Sequence, residues 1–473
     1  MRAPATRDQV DAYRFGLRRL EAALVRGDPV PLHEQVRSQR RAALAGVALG
    51  LLGLCGTAVL AKVVPEPNWT QQAVVVGAGS GAMYVVAHGP DRLIPVANLP
   101  AARLVLAALR SGGSTGADPA TATPVTVPDA ALDTAARTPT AAVPGAVAVR
   151  LDGPAVPPRW AVCDRTTADG HLVRTTVVAG MEPPEPMAPG DGVLLDGPDG
   201  ATWLVTAGHR HRVDTGDGRV MAAFGLTARV PRAAAPDLVS LLPEGPVLAT
   251  PEVPGRGGPA PRGVPGRIGD VLVAHPVGGA PRHFVVLAGG LQEVPDVVAE
   301  LLRVASGASR AVPIDADELA GAALVDHVPV DGWPVGAPRL REPAESPVTC
   351  WTWTANGDPP GDVWVGVAEP LPATTPPVAL AQADGPGNRV DAVAVGPGGP
   401  VRAAGPGRPP GAGPVWLVAA TGVTFGVADD STAAALGITA AEAAPEAALR
   451  LLPTGPALDL AAAGRVVDVL SFG

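Results

Sequence analysis

The 473-residue chain is long enough for two to four domains, and it is 47% hydrophobic with only 3% aromatic residues, so its cores must be built mostly from Ala, Val and Leu. Its 58 glycines and 55 prolines fall just short of the level that marks pervasive disorder. Of 36 basic residues all but Lys62 are arginine, and that lysine follows no glycine loop and no kinase-type strand, which excludes a P-loop and a protein kinase.

Charge is unevenly spread. Residues 1–41 hold nine arginines against five acids, whereas the chain beyond Lys62 carries −14. The basic head is too short and too regular to point to nucleic acid. Thr6 and Gln9 form a capping-box pair, and Gly27 with Pro29 supplies a stop, which predicts a helix between them. Val10, Tyr13, Leu17, Leu20 and Leu24 recur at spacings of three and four and make one apolar stripe. A single helix of this length has no core in which to bury that stripe. It meets a partner, or it lies on lipid headgroups with Arg14, Arg18, Arg19 and Arg26 toward phosphate; both readings stay open.

Ala42–Ala61 is an uncharged run that spans about 30 Å as a helix, the thickness of a bilayer core. Arg37, Arg40 and Arg41 precede it, so the N-terminal side is expected in the cytoplasm and the C-terminal region outside. The run is too long, and begins too late, for a cleaved signal peptide. Gly46, Gly50, Gly53 and Gly56 would permit close helix packing, a pattern that Ala/Gly-rich composition produces equally well.

Cys55 lies in this run. Cys163 and Cys350 lie beyond it, in a compartment where disulfides persist, and no second cysteine or histidine stands at metal-ligand spacing beside either one. The pair is therefore read as a bridge, with a long excursion of chain leaving a central region near Cys163 and returning near Cys350.

The exterior part repeats. Trp203-Leu204-Val205, Phe224-Gly225-Leu226 and the segment LLPEGPVL (241–248) are matched by Trp416-Leu417-Val418, Leu436-Gly437-Ile438 and LLPTGPAL (451–458). Weaker copies open at Tyr84 and Phe284. Each copy is read as a strand with an aromatic, a glycine turn, a second strand and a helix, units that bury little alone. Segments 112–145 and 397–414 are read as linker or long loop.

No catalytic residue, cofactor or metal is expected. Val74–Ala82 fits a strand followed by G-x-G-x-x-A, but the helix and the later acid that a dinucleotide needs are missing, so a glycine-rich hairpin is the better reading. His209 and His211 share one face of a strand and read as a solvated edge. Asp429, Asp430, Asp315, Asp317 and Glu318 read as loop or helix-start acids. Ser240 and Ser346 have no nucleophile context.

Four stretches, TRDQVDAYRFGLRRLEAALVRGDP, RLIPVANLPAARLVL, WAVCD around Cys163 and TCWTW around Cys350, together resemble the EccB family, a membrane component of the actinobacterial type VII (ESX) secretion system. The resemblance runs over almost the whole chain. It implies a disulfide between Cys163 and Cys350, no nucleic-acid partner, and assembly with other secretion subunits, the secretion ATPase and further copies of itself. It further implies an α+β architecture: a cytosolic amphipathic helix, a single transmembrane helix, and an elongated exterior region of four small strand–strand–helix repeat domains around a disulfide-tied central domain. The divisions expected are 1–41 for the cytosolic segment, 42–61 for the span, 62–111 for the first repeat and 112–145 for a linker. The central domain takes 146–192 and 331–372, with the second repeat at 193–262, the third at 263–330 and the fourth at 373–473. The alternatives are an ATP-hydrolysing component, a label the family often carries, and a single-pass envelope protein binding cell-wall glycan through its aromatic repeats.

Overall fold

The computed structural model describes residues 6–27, 32–63, 67–113, 117–141, 143, 146, 149–152, 155–182, 184–355, 361–372, 375–405, 408 and 411–468. It divides into two compact units, Met1–Asn68 and Trp69–Gly473.

In the first unit, α1 spans Arg7–Arg26 and α2 spans Leu32–Val63. The α1 start is the expected capping box: the Thr6 amide donates to Gln9 Oε1 at 3.1 Å, and Gly27 closes the helix at φ 66°. The second helix departs from expectation. It begins ten residues before Ala42, because LHEQVRSQRR contains neither glycine nor proline to stop a helix. At 1.5 Å per residue it is about 48 Å long, so the apolar run is only its C-terminal part.

The second unit is built on five sheets of three strands or more. The first holds β1 (Val74–Gly77), β2 (Met83–Ala87), β3 (Arg92–Val96) and β4 (Pro124–Val127), with α3 (Leu99–Ser111) before β4 and α4 (Asp129–Asp133) after it. A short β5 (Thr140–Ala141) follows, then β6 (Arg159–Thr166) and β7 (Leu172–Ala179) of the central sheet. The second repeat holds β8 (Asp191–Asp196), β9 (Thr202–Thr206), β10 (His209–Val213), α5 (Gly218–Ala223), β11 (Arg232–Ala233) and α6 (Pro236–Leu241). In the third are β12 (Val271–Ala274), β13 (Arg282–Leu287), β14 (Gly290–Val294), α7 (Asp296–Ala305), β15 (Val312–Pro313) and α8 (Ala316–Gly321). The chain then gives β16 (Arg339–Leu340) and returns to the centre as β17 (Val348–Thr354), β18 (Gly361–Gly366), β19 (Val378–Ala379) and β20 (Ala392–Ala394). It ends with β21 (Gly399–Ala404), β22 (Val415–Val418), β23 (Thr424–Gly426), α9 (Asp430–Ala435), β24 (Glu442–Pro445), α10 (Glu446–Leu449), α11 (Leu460–Ala463) and β25 (Val466–Val467).

Four of these sheets share one spatial order: third, second, first, fourth strand. The first three strands form an antiparallel meander; a helix then crosses over and the fourth strand returns parallel to the first, as in β1–β4, β8–β11, β12–β15 and β21–β24. The expected strand–strand–helix unit was therefore one strand short at its start and one at its end. The return strands are only two to four residues long, too short to leave a periodic trace. The strand pairing also redraws the expected divisions. Segment 112–145 carries β4, α4 and β5, and 397–414 carries β21, whose Gly/Pro/Ala composition hides a strand. Strand β16 pairs with β8, while β19 and β20 join the central sheet, whose order is β18-β17-β6-β7-β20-β19.

After its second helix each repeat folds back along its own third strand, covering an edge that would otherwise expose unpaired amides. The bonding is the same four times. Leu93, Arg210, Leu291 and Thr424 each donate an amide hydrogen bond to the returning segment (to Ala136, Pro243, Ala323 and Pro453) and accept one from the residue two further on, at 2.8–3.0 Å. We call these returning segments straps. Two of them contain the LLPxGP motif, whose glycine is required by close approach: a Cβ on Gly245 would lie 2.3 Å from the His211 ring, and one on Gly455 would lie 2.3 Å from the Phe425 ring.

Alternate residues of the short strands feed different cores. Leu194 and Leu204 pack with Val285 and Leu301 of the third repeat, whereas their neighbours Leu195 and Val205 pack with Trp160 and Trp351 of the centre. In the fourth repeat Leu417 joins the core of Leu104 and Val105 from the first, and Val418 joins the centre. The cores thus link the sheets in the order first, fourth, centre, second, third. Buried arginines fasten two of these joints. Arg103 reaches the Leu436 carbonyl at 2.8 Å and Asp152 at 2.9 Å, and Arg232 reaches the Ser346 carbonyl at 2.6 Å and Thr349 Oγ1 at 2.8 Å.

The cysteines meet in the central sheet. Cys163 of β6 and Cys350 of β17 are register partners, fully buried, with Cα atoms 4.0 Å apart, and are joined by a disulfide. The Thr166 amide donates to the Pro347 carbonyl at 2.8 Å, so by alternation the cysteines occupy a non-hydrogen-bonded pair, where antiparallel strands come closest. Closing 187 residues of chain is worth about 5 kcal/mol as an upper figure. Beside the bridge, Arg165 and Arg174 both grip the buried Glu369, with contacts of 2.8 and 2.7 Å. Burial alone would raise the Glu369 carboxyl, but the two guanidinium hydrogen bonds outweigh it and bring it down to about 2.

Two outcomes follow. Because Glu369 titrates lower in the folded chain than the roughly 4.3 of a free glutamate, its stabilisation is complete above that value and is lost as pH falls toward 2. Glu369→Gln should cost about 2–3 kcal/mol at neutral pH in denaturant unfolding and flatten the acid limb of the stability curve. Gly455→Ala should destabilise the folded chain by about 1–3 kcal/mol through overpacking on Phe425, read from thermal melting.

Candidate assembly surfaces

Helix α1 presents its stripe to solvent. Val10, Tyr13, Leu17, Leu20 and Leu24 are all exposed, from 39% at Val10 to 85% at Leu24. At 100° per residue the five fall within an arc of about 80°, while Arg7, Arg14 and Arg18 line a ridge beside it. Exposed Phe15 lies on the opposite side of the helix and Val25 to one side; neither belongs to the stripe, and the spacing rule passed over both. A helix with an unburied stripe and a separate basic ridge can dock into an apolar groove without desolvating its charges.

In α2 the stretch Gln39–Thr57 is long and apolar enough to cross a membrane. Leu44, Val47, Leu49, Leu51, Leu52 and Leu54 are exposed over an arc of about 220°, and Gly46, Gly50 and Gly53 occupy the remaining side. Gly46, Gly50, Gly53 and Gly56 have open space where a Cβ would stand, and Cys55 is free and exposed. Arg37, Arg40 and Arg41 lie within α2, so they ride on the same rigid rod as the span; the side chain of Arg37 is outside the described residues.

The candidate small-molecule features resolve into structure. The glycine loop after β1 is a hairpin turn, and its free amides hold an internal anion: Asp129 accepts from the Gly79 amide at 2.7 Å and from Ser80 Oγ at 2.6 Å. These bonds hold the Asp129 carboxyl below its ordinary range. Asp315 caps α8 in a box with Glu318, and Asp429 caps α9 by accepting from the Thr432 amide at 2.7 Å, the roles expected of helix-start acids. Ser240 Oγ donates to the Asp237 carbonyl, and Ser346 is buried against Arg232. Among the described residues no three His, Cys, Asp or Glu side chains gather as a metal site.

The histidine pair divides. His209 is exposed as expected, but His211 is buried, because the strap 241–248 covers the strand edge on which it was read as solvated. Of the four aromatics that head the repeats, three are capped by a cation and the fourth, Trp416, is half-buried. Guanidinium groups cover Tyr84, Trp203 and Phe284 at 5.5, 4.6 and 5.4 Å from the ring centroids, and the two latter rings are buried. On those three rings the guanidinium occupies a face that glycan stacking would use.

The family model for the type VII secretion system ESX-1, transport TM domain B, matches residues 2–472. A Mycobacterium tuberculosis protein named ESX-5 secretion system ATPase EccB5 is 33% identical over 97% of this chain and 92% of its own length. The Mycolicibacterium smegmatis ESX-3 secretion system ATPase EccB3 is 31% identical over 96% of this chain and 89% of its own. Among solved structures, a chain of an intact ESX-5 inner membrane complex superposes with a TM-score of 0.70 at 30% identity, covering 100% of this chain and 98% of that one. An EccB3 dimer from the ESX-3 core complex gives 0.67 at 29% identity, over 83% of this chain and 99% of that one. Taken from its capped head helix to its last strap, the chain belongs to the EccB family of type VII secretion proteins.

Proposed function

We propose that the protein is a structural subunit of a type VII (ESX-like) secretion membrane complex that helps to build the membrane pore and its exterior side. The observation that carries this is the unburied stripe of α1 on a chain that matches, over its whole length, a chain of an assembled inner membrane complex. In this reading Val10, Tyr13, Leu17, Leu20 and Leu24 dock on a cytosolic domain of the secretion ATPase or of another subunit. Arg37, Arg40 and Arg41 hold the N-terminal side in the cytoplasm, and α2 packs among other spans through its glycine face. The second unit works outside as an elongated array of four repeat domains around the disulfide-tied centre, making contacts with further copies.

The role is non-catalytic. The relatives carry ATPase in their names, but a nucleotide site here would lack a P-loop lysine, and the glycine loop after β1, whose amides could hold an anion, is filled by Asp129. A solution that hydrolyses ATP after removal of every other secretion subunit would overturn this point.

Mild detergent extraction followed by mass spectrometry tests the assembly. The wild-type chain should co-purify with the other membrane subunits and the secretion ATPase. Leu17→Asp with Leu24→Asp should reduce recovery of the cytosolic partner at least tenfold while leaving the melting of the exterior unit unchanged. Recovery of the wild type only as a free monomer would refute the assembly reading.

A further inference from the structure

Residues 253–269 hold three arginines and no acid, although the chain beyond Lys62 carries −14 in all. The segment is an ordered ribbon ahead of β12. The Gly257 amide donates to the Ile268 carbonyl at 2.8 Å, the Ile268 amide donates to the Gly258 carbonyl at 3.0 Å, and Pro259 bridges Arg267. The Val264 amide closes the tip on the Pro261 carbonyl at 3.1 Å. Ala260 and Val264 turn inward onto the face of the third sheet that carries Leu272 and Phe284, and Ile268 is buried in the joint with the second repeat. The outward side keeps only glycine, proline and the exposed Arg256, Arg262 and Arg267.

These arginines are seated on backbone and not on acids. Arg267 Nη1 donates to the Gly257 carbonyl at 3.1 Å, and Arg256 lies across Gly269, where an added Cβ would stand 2.9 Å from its Cγ. A fourth cation joins them from β15. Leu272 is the register partner of Val312, so two residues earlier exposed Arg310 stands level with Asp270 and, by alternation, on the face of Leu272. Asp270 is the acid at the base of the ribbon, and its carboxylate accepts the Arg267 amide at 2.8 Å. Among the described residues none of the four arginines forms an ion pair, whereas Arg282 and Arg303 of the same repeat are paired with Glu293 and Glu300. The acids that start α8 begin at Asp315, five residues and about 16 Å of strand beyond Arg310.

We propose that this ribbon, together with Arg310, is a docking surface for an anionic polymer of the exterior compartment, one whose phosphate or carboxylate groups recur along its chain. Guanidinium forks match both groups bidentately. A protein interface is built around apolar or aromatic anchors with its charges at the rim, and here every apolar side chain of the ribbon faces the core. A polymer of repeated charges needs no such anchor, because ion pairing and released counterions supply its affinity. The excess of acid over the rest of the chain beyond Lys62 repels such a polymer elsewhere and confines it to this patch. The surface is separate from the α1 stripe, so it stands independently of the assembly that the stripe serves.

Binding of fluorescently labelled probes to the full-length protein in detergent tests this. Polyphosphate supplies the phosphate, polygalacturonate the carboxylate, and dextran an uncharged control. At least one polyanion should bind saturably and weaken about tenfold or more between about 50 and 200 mM salt, and dextran should not bind. Arg256→Gln with Arg262→Gln and Arg310→Gln should weaken binding about tenfold without shifting the melting temperature, because all three side chains are exposed. Arg212→Gln with Arg389→Gln and Arg465→Gln removes the same charge from other exposed positions and should change binding less than about twofold. Equal losses in the two triple variants, or no saturable binding of either polyanion, would overturn the proposal. So would tighter binding of poly-L-glutamate than of both polymers, which would assign the patch to an acidic protein segment.

Discussion

Short strands buried on both faces govern this molecule. A run such as Trp203-Leu204-Val205 or Val415–Val418 sends successive apolar side chains to opposite sides of its sheet, and neither side can be left to water. A sheet of four such strands, with helices of four to thirteen residues, covers at most one of its faces by itself. Each repeat must then borrow its second cover from a neighbour, and the joints form where those covers meet. This is why the cores run from sheet to sheet in a chain instead of lying one inside each repeat.

The joints are held by polar devices placed within that apolar continuity. Arg103 and Arg232 cross two of them: Arg103 bonds the Leu436 carbonyl and the Asp152 carboxylate, and Arg232 bonds the Ser346 and Arg341 carbonyls and the Thr349 hydroxyl, with no carboxylate partner among them. Glu369 with its two arginines stiffens the central sheet beside the disulfide. The straps do a different task. They close the third-strand edge of each repeat, which leaves fewer templates for unintended pairing. An exterior part made this way has its joints tied by shared cores and cross-joint hydrogen bonds. That suits a subunit whose neighbours must be met at fixed places.

What could be read from residues alone followed from signals that are local and dense. The capping box at Thr6 and Gln9, the uncharged run from Ala42, the glycine hairpin after β1 and the LLPxGP copies each occupy a few adjacent positions, and the structure holds all of them. The return strands β4, β11, β15 and β24 could not be read, because two to four residues carry no period. Residues 32–41 were divided from the span by their charge, although nothing in them breaks a helix. His211 was misplaced for a further reason: a strand residue's burial depends on what covers the edge, and the cover lies thirty residues further along the chain. The LLPxGP motif was recognised as a repeat, but its purpose required seeing which ring rests on its glycine.

The register of Cys163 opposite Cys350 carries one more implication. Strands β6 and β17 are immediate neighbours, but the chain between them first adds β7 on the other side of β6, so it leaves the central sheet after Ala179, opposite Trp160, and re-enters at Val348, opposite Arg165 at the other end of β6. The second and third repeats are in effect an insertion between β7 and β17, held at opposite ends of the disulfide-tied strand β6. Its outer part, the third repeat, could be exchanged without touching the central core, whereas the second repeat, which fills that core through Leu195 and Val205, could not. The central sheet with the first, second and fourth repeats would then be the chassis of this chain, and the third repeat its adjustable reach.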